Sequence, residues 1–163
     1  MKRIIALALL FIASTLSAAP IDRDTLIKVL DVARSKRVPV SVAYWQHIEE
    51  SGNRFTGGWG DPGAIGDMDR LFTSEGLFQL STAPDNIKFL LDNFWNEPVE
   101  DFNIKDPIDN AIVAMGYMRW LHDKFGSWYI AAARFNCGPN RPIIPPSSLA
   151  YASRIIHARE PKL

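Results

Sequence analysis

The chain of 163 residues contains one cysteine, Cys137, so no disulfide can close within it and stability has to come from packing. A lone cysteine reads first as a small apolar side chain of the interior. Charge of one sign is also lacking, since 18 Lys and Arg balance 18 Asp and Glu. Without a basic stripe, the electrostatic footprint of a nucleic-acid-binding protein is missing. The three histidines, His47, His122 and His157, fall in three different predicted helices. No His-x-x-x-His or Cys-x-x-Cys spacing occurs, so no zinc site is indicated. Gly-x-Ser-x-Gly, the mark of a nucleophile elbow, is absent, and no glycine-rich phosphate loop precedes a helix. What these absences leave open is acid chemistry by carboxylates, with no cofactor implied.

The chain starts MKRIIALALLFIASTLSAAP: two basic residues, an apolar run, then small residues. That is the order of a secretory signal peptide. The apolar run is shorter than the roughly 20 residues a membrane span needs. We therefore expect residues 1–19 to be a leader and the protein to be exported, periplasmic or secreted, with no stable membrane span once the leader is gone. Pro20 disfavours a cut directly after Ala19, and an uncleaved N-terminal anchor is the alternative. Residues 20–163 suffice for one well-buried domain and are too few for two. Nothing repeats, and no low-complexity linker divides them. Five Trp, nine Phe and four Tyr fill a core, and such side chains also line clefts that hold sugar faces.

Helical periodicity dominates the rest. Asp22 or Asp24 is placed to cap a helix running to about Ser35, with Leu26, Val29, Leu30 and Ala33 inward. Pro39 suits the first turn of the next helix, Val40 to Gly52. There Val42, Trp45 and Ile48, flanked by Val40 and Tyr44, predict the buried face. This helix carries Glu49 and Glu50 to an end marked by Gly52 and Asn53, which tolerate left-handed backbone. A carboxylate at that end faces the unfavourable pole of the helix dipole. If it is also dehydrated it keeps its proton toward neutral pH, as a general acid must. Spacing alone does not choose between Glu49 and Glu50.

Residues 52–74 hold six glycines and a proline and read as a long loop with a small hairpin. Loops of this length in a compact domain usually carry function. Asp61, Asp67 and Asp69 in it lack the alternating oxygens and terminal Glu of an EF-hand, so no metal is assigned. Four more helices are expected. One starts near Pro84 with Ser81 or Thr82 as cap and Ile87, Leu90, Leu91 and Phe94 inward. The next runs from Asp106 as cap through Pro107 to Gly126, and as the most apolar element it should be central. SWYIAAARFNCG then ends at Gly138, and SSLAYASRIIHARE starts from Ser147 or Ser148. The expected fold class is mainly α in a single domain, α+β at most through a small hairpin in residues 53–74.

Three motifs stand in order: ESG at Glu50–Gly52, GLFQLS at Gly76–Ser81 and FNCGPN at Phe135–Asn140. They resemble the Glu-Ser, Gly-Leu-Met-Gln and Tyr-Asn-Ala-Gly motifs of lytic transglycosylases with a Slt-type, lysozyme-like domain. DPIDN at Asp106–Asn110, with Tyr117 after it, is similar to the family's Asp-Pro-x-x-Asn helix and its tyrosine, and Tyr151 also has a counterpart. The resemblance spans about residues 36–158. It implies a lysozyme-like fold and selects Glu50 over Glu49 as the catalytic acid. Glu50 would protonate the bond between N-acetylmuramic acid (MurNAc) and N-acetylglucosamine (GlcNAc) in peptidoglycan. It would then act as base on the C6 hydroxyl to form a 1,6-anhydro end. Ser51, Gln79, Phe135, Asn136 and Tyr151 would contact or place the sugar. The implied partner is the peptidoglycan glycan strand, and small enzymes of this kind often serve a secretion, conjugation or pilus apparatus.

The chain departs from that pattern at Phe135, which replaces a tyrosine, at Phe78, which replaces Met, and at Cys137, which replaces Ala. The interval from Glu50 to Gly76 is also long, and GWGD at Gly58–Asp61 is similar to goose-type lysozymes. In those relatives an aspartate at this point helps place a water. A hydrolytic muramidase using Glu50 with Asp61 is thus the second reading, although Ser81 stands where that group has its second aspartate. A catalytically silent peptidoglycan-binding protein is the third.

Overall fold

A computed structural model describes residues 21–50 and 74–159. Among them are six helices and a two-stranded hairpin, in the order α1 (Arg23–Ser35), α2 (Val40–Glu50), β1 (Ser74–Glu75), β2 (Leu80–Ser81), α3 (Pro84–Phe94), a 3-10 turn at Val99–Asp101, α4 (Pro107–Phe125), α5 (Trp128–Cys137) and α6 (Pro146–Ile156). The mainly helical expectation holds. A small hairpin is present, with Ser74 opposite Ser81 and Glu75 opposite Leu80. Residues 53–73, where the sequence suggested one, lie outside those described.

α4 is the central element, as its composition predicted. Asp106 accepts hydrogen bonds from the amides of Ile108 (2.8 Å) and Asp109 (3.1 Å), satisfying donors that the first turn leaves free. Pro107 needs no partner there, and Gly126 ends the helix in the left-handed region at φ 71°. Between these signals Ala111, Val113, Ala114, Met115, Met118 and Leu121 are all fully buried. They point in several directions because α1, α3 and α5 pack around the helix. α6 lies against both α5 and α2, and so carries the core across to the end of α2. No helix of the described residues is long and apolar enough to cross a membrane.

Two local expectations are corrected. On α2 the buried residues are Val42, Ala43, Gln46, His47 and Ile48, whereas Trp45 and Tyr44 are only partly covered. The Trp45 indole N–H donates to the Arg159 carbonyl at 2.7 Å, so it sits where α2 meets the end of the chain. The apolar stripe holds at Val42 and Ile48, with Val40, Tyr44 and Trp45 packed against the core at its margin, but it missed Gln46 and His47, polar side chains that the helix buries at the site described below. The caps of α3 and α6 are also different. Ala83 and Pro145 occupy those positions and no side-chain cap bond forms, each helix relying instead on a proline at its first turn. Ser81 still receives the Ala83 amide (3.3 Å) and the Asn86 side chain (3.2 Å). Cys137 is a free thiol and half-buried.

The hairpin turn is clamped by α4. Asn110, fully buried, accepts the Phe78 amide at 2.8 Å and donates to the carbonyls of Ile104 (3.0 Å) and Glu75 (3.3 Å). The clamp needs room that only glycine leaves: a Cβ on Gly76, at φ 80°, would lie 2.1 Å from the Asn110 amide nitrogen and 2.3 Å from the Ile104 carbonyl. Gly76→Ala is therefore expected to lower the urea midpoint of unfolding by an amount corresponding to roughly 2 kcal/mol or more. Asn110→Leu should cost about as much, because it strands buried backbone groups. Stability of either variant equal to wild type in equilibrium denaturation would contradict the clamp.

Candidate active site

Glu50 closes α2, and its carboxyl is the focus of the site. The Tyr151 hydroxyl on α6 donates to Glu50 Oε1 at 2.5 Å. The residue as a whole keeps some exposure, yet its carboxyl is dehydrated enough to raise its pKa from the usual 4.5 to about 7. Burial is the principal cause. The Tyr151 hydrogen bond opposes it, and the charge of Glu49 adds to it. A carboxylic acid in this state is still substantially protonated near neutral pH, the condition for giving up a proton in catalysis. Tyr151 is itself buried, and burial together with the adjacent Glu50 charge holds its hydroxyl firmly protonated. It therefore remains a donor throughout.

Glu49, next in the chain, is handled differently. It is partly covered and forms an ion pair with Arg154 Nε at 2.8 Å. Tyr151 and Arg154 are three residues apart on α6, so one face of that helix receives both carboxylates. Helical spacing left these two acids equivalent; dehydration at one and a partly exposed ion pair at the other separate them.

The other motif residues reach this region through neighbours. Gln79 occupies the left-handed region at φ 48°, a conformation that costs a non-glycine residue energy and clusters at functional positions. Its amide nitrogen donates to the Gly76 carbonyl at 3.0 Å, closing the turn. Leu77 and Phe78 before it are fully buried, and the Phe78 ring meets His47 of α2 edge-on at 6.4 Å. The turn is thereby seated against α2 three residues before Glu50. His47 itself is fully buried, and burial pushes its pKa down to about 4; it is neutral at working pH.

Asn136, exposed in the last turn of α5, accepts a hydrogen bond from the Ser148 hydroxyl at 2.8 Å. Ser148 is buried and three residues before Tyr151, so the third motif is tied to the helix that holds Glu50. The sequence offered Ser148 as a cap, and its bridging role was missed because it depends on how α5 and α6 pack. Phe135 packs against the core. Its ring lies 5.4 Å from that of Tyr117, in an aromatic cluster with Phe94, Phe89 and Trp120. Ser51 and Asp61 lie outside the described residues. Among the described residues no group of three or more His, Cys, Asp or Glu side chains is placed to hold a metal ion.

The raised pKa has a consequence for stability. Glu50 binds its proton more tightly folded than unfolded, so folding is penalised once pH exceeds the unfolded value near 4.5, and fully so above about 7. A shift of this size corresponds to something on the order of 3 kcal/mol. Glu50→Gln should therefore melt several degrees above wild type at pH 8, with the gain disappearing near pH 4. An equal difference at both pH values in calorimetry would show that Glu50 is not a dehydrated acid.

No curated protein and no solved structure matches the chain. The family model described as the Transglycosylase SLT domain matches residues 60–143, just over half of the sequence. The match begins after Glu50 and ends before Tyr151, but takes in the clamped turn with Gln79, Asn110 on α4, and Phe135 with Asn136. The order of those motifs, the helical fold that carries them and the matched span lead to one conclusion: the chain belongs to the Transglycosylase SLT domain family.

Proposed function

We propose that the protein is an exported lytic transglycosylase that cleaves the β-1,4 bond between MurNAc and GlcNAc, with Glu50 as the single general acid and base. Membership of the family implies cleavage of peptidoglycan glycan strands. The observation that carries the finer reading is the dehydrated Glu50 carboxyl, near pKa 7, held by the Tyr151 hydroxyl.

The chemistry follows from that state. Neutral Glu50 gives its proton to the glycosidic oxygen, the C1–O4 bond breaks, and positive charge develops at C1 of the muramoyl ring. The carboxylate left behind is stabilised by Tyr151, because a hydrogen bond to an ionised acceptor is stronger than one to a neutral acid. That carboxylate then takes the proton of the C6 hydroxyl, whose oxygen bonds to C1 to close the 1,6-anhydro ring. Glu50 ends protonated, as it began, and no water is consumed. Ordinary retaining and inverting glycosidases use two carboxylates. Here the acid beside Glu50 is Glu49, which is engaged by Arg154. Gln79 and Asn136 are assigned to sugar contacts, Ser51 to placing the reacting groups, and Phe135 to packing behind Asn136. Export rests on the leader-like residues 1–19, and service to an envelope-spanning machine is the context that fits a small wall-opening enzyme.

The GWGD stretch supports hydrolysis as the second reading, with Asp61 delivering water to C1. Mass spectrometry of digested sacculi separates the two. Fragments ending in 1,6-anhydroMurNAc are expected; reducing ends alone would establish a muramidase. Glu50→Gln should lose at least ~10²-fold in rate, and wild-type activity should fall as pH rises through about 7, where Glu50 ionises. Clearance of sacculi by Glu50→Gln at the wild-type rate would remove Glu50 from the mechanism. An inactive wild type that still binds sacculi would favour the silent binding protein.

A further inference from the structure

We propose that Gln46 is a positioning residue of the acid–base pair, holding the Tyr151 hydroxyl so that its hydrogen is committed to Glu50. The proposal rests on the reading of Glu50 as general acid and base. Gln46 lies one turn before Glu50 on α2, and the i, i+4 spacing puts both on the same side of the helix. Its side chain is fully buried. Yet among the described residues neither its amide nitrogen nor its amide oxygen has a hydrogen-bond partner. An unpaired amide in the interior is costly, and each one in a native fold calls for an explanation.

Its surroundings supply one. Gln46 acts on the Tyr151 hydroxyl in the direction expected of an N–H donor, favouring the ionised phenol, without closing a hydrogen bond in the resting geometry. A phenol oxygen can accept one hydrogen bond while its own hydrogen donates another. An N–H directed at that oxygen leaves the hydrogen for Glu50 and strengthens the donation, since linked hydrogen bonds polarise one another. The contribution is small while Glu50 is neutral and grows once it has lost its proton. Gln46 therefore acts through Tyr151 on the charge that develops during reaction, which is where an interaction accelerates the chemistry. Among the described residues, the other charged group acting on the pair is Glu49 of α2, itself bound to Arg154 of α6. His47 is neutral through burial, and no α1 side chain contributes to either shift.

The test compares wild type, Gln46→Met, Tyr151→Phe and the double variant on soluble uncross-linked glycan strands, with kcat and KM followed across pH. Gln46→Met should fold at least as stably as wild type, because it replaces an unpaired amide by an apolar chain of similar volume. Its kcat should fall roughly tenfold, less than the ~10²-fold typical of a donor that touches the charge directly. KM should stay the same. The high-pH limb of the rate profile should move upward, since Glu50 keeps its proton longer when Tyr151 donates less strongly. In the Tyr151→Phe background the same substitution should have no further effect. Wild-type kcat and pH profile in Gln46→Met would overturn the proposal, as would its failure to fold, which would make the amide a packing element. An effect undiminished in the Tyr151→Phe background would overturn it too. An inactive wild type would instead strike the transglycosylase reading, and this inference with it.

Discussion

The hydrogen bond from Tyr151 to Glu50 joins residues 101 positions apart in the chain, and the site is arranged around it. A carboxyl at the end of a helix, away from water, is disfavoured twice when ionised: by dehydration and by the dipole of its own helix. The fold accepts that cost because α6 lies against α2 and brings a donor that stays protonated. The same face of α6 sends Arg154 to Glu49. Adjacent acids thereby acquire different characters, one dehydrated and holding its proton toward neutral pH, the other partly exposed and paired with Arg154. Surface pairs of the second kind contribute little to stability, so Arg154 matters more for where it directs Glu49 than for what it adds to the fold.

The remaining motifs share a logic of indirect attachment. Asn110 spends its side-chain hydrogen bonds on backbone groups around the turn, which lets Gln79 be held in a left-handed conformation that the local chain would not choose. Asn136 is fastened to α6 through Ser148. Both motif side chains are therefore oriented by elements that belong to the core, and both would shift if that core were loosened. Phe135 shows the converse. Its ring joins an aromatic cluster that runs from Tyr117 to Phe89, and a hydroxyl there would have to find a partner among rings. The departure from the family's tyrosine is thus accommodated by packing.

Much of this was legible in the residues alone. The Asp106–Pro107 start and Gly126 stop of α4 are local signals, decided within a few residues by capping and by backbone conformation, and they act the same way in any fold. Motif order, being a property of the linear chain, identified the family and favoured Glu50 over Glu49. The buried face of α2, the bridging role of Ser148 and the unpaired amide of Gln46 were not legible. Each depends on which helix packs against which, and a polar residue on an apolar face carries no mark of whether it meets solvent, a partner or a dehydrated acid. By itself the sequence determined the helices, the ends of α4 and the candidate carboxylates. Only the tertiary structure decided which carboxylate loses its water, because dehydration is set by neighbours that lie about a hundred residues away.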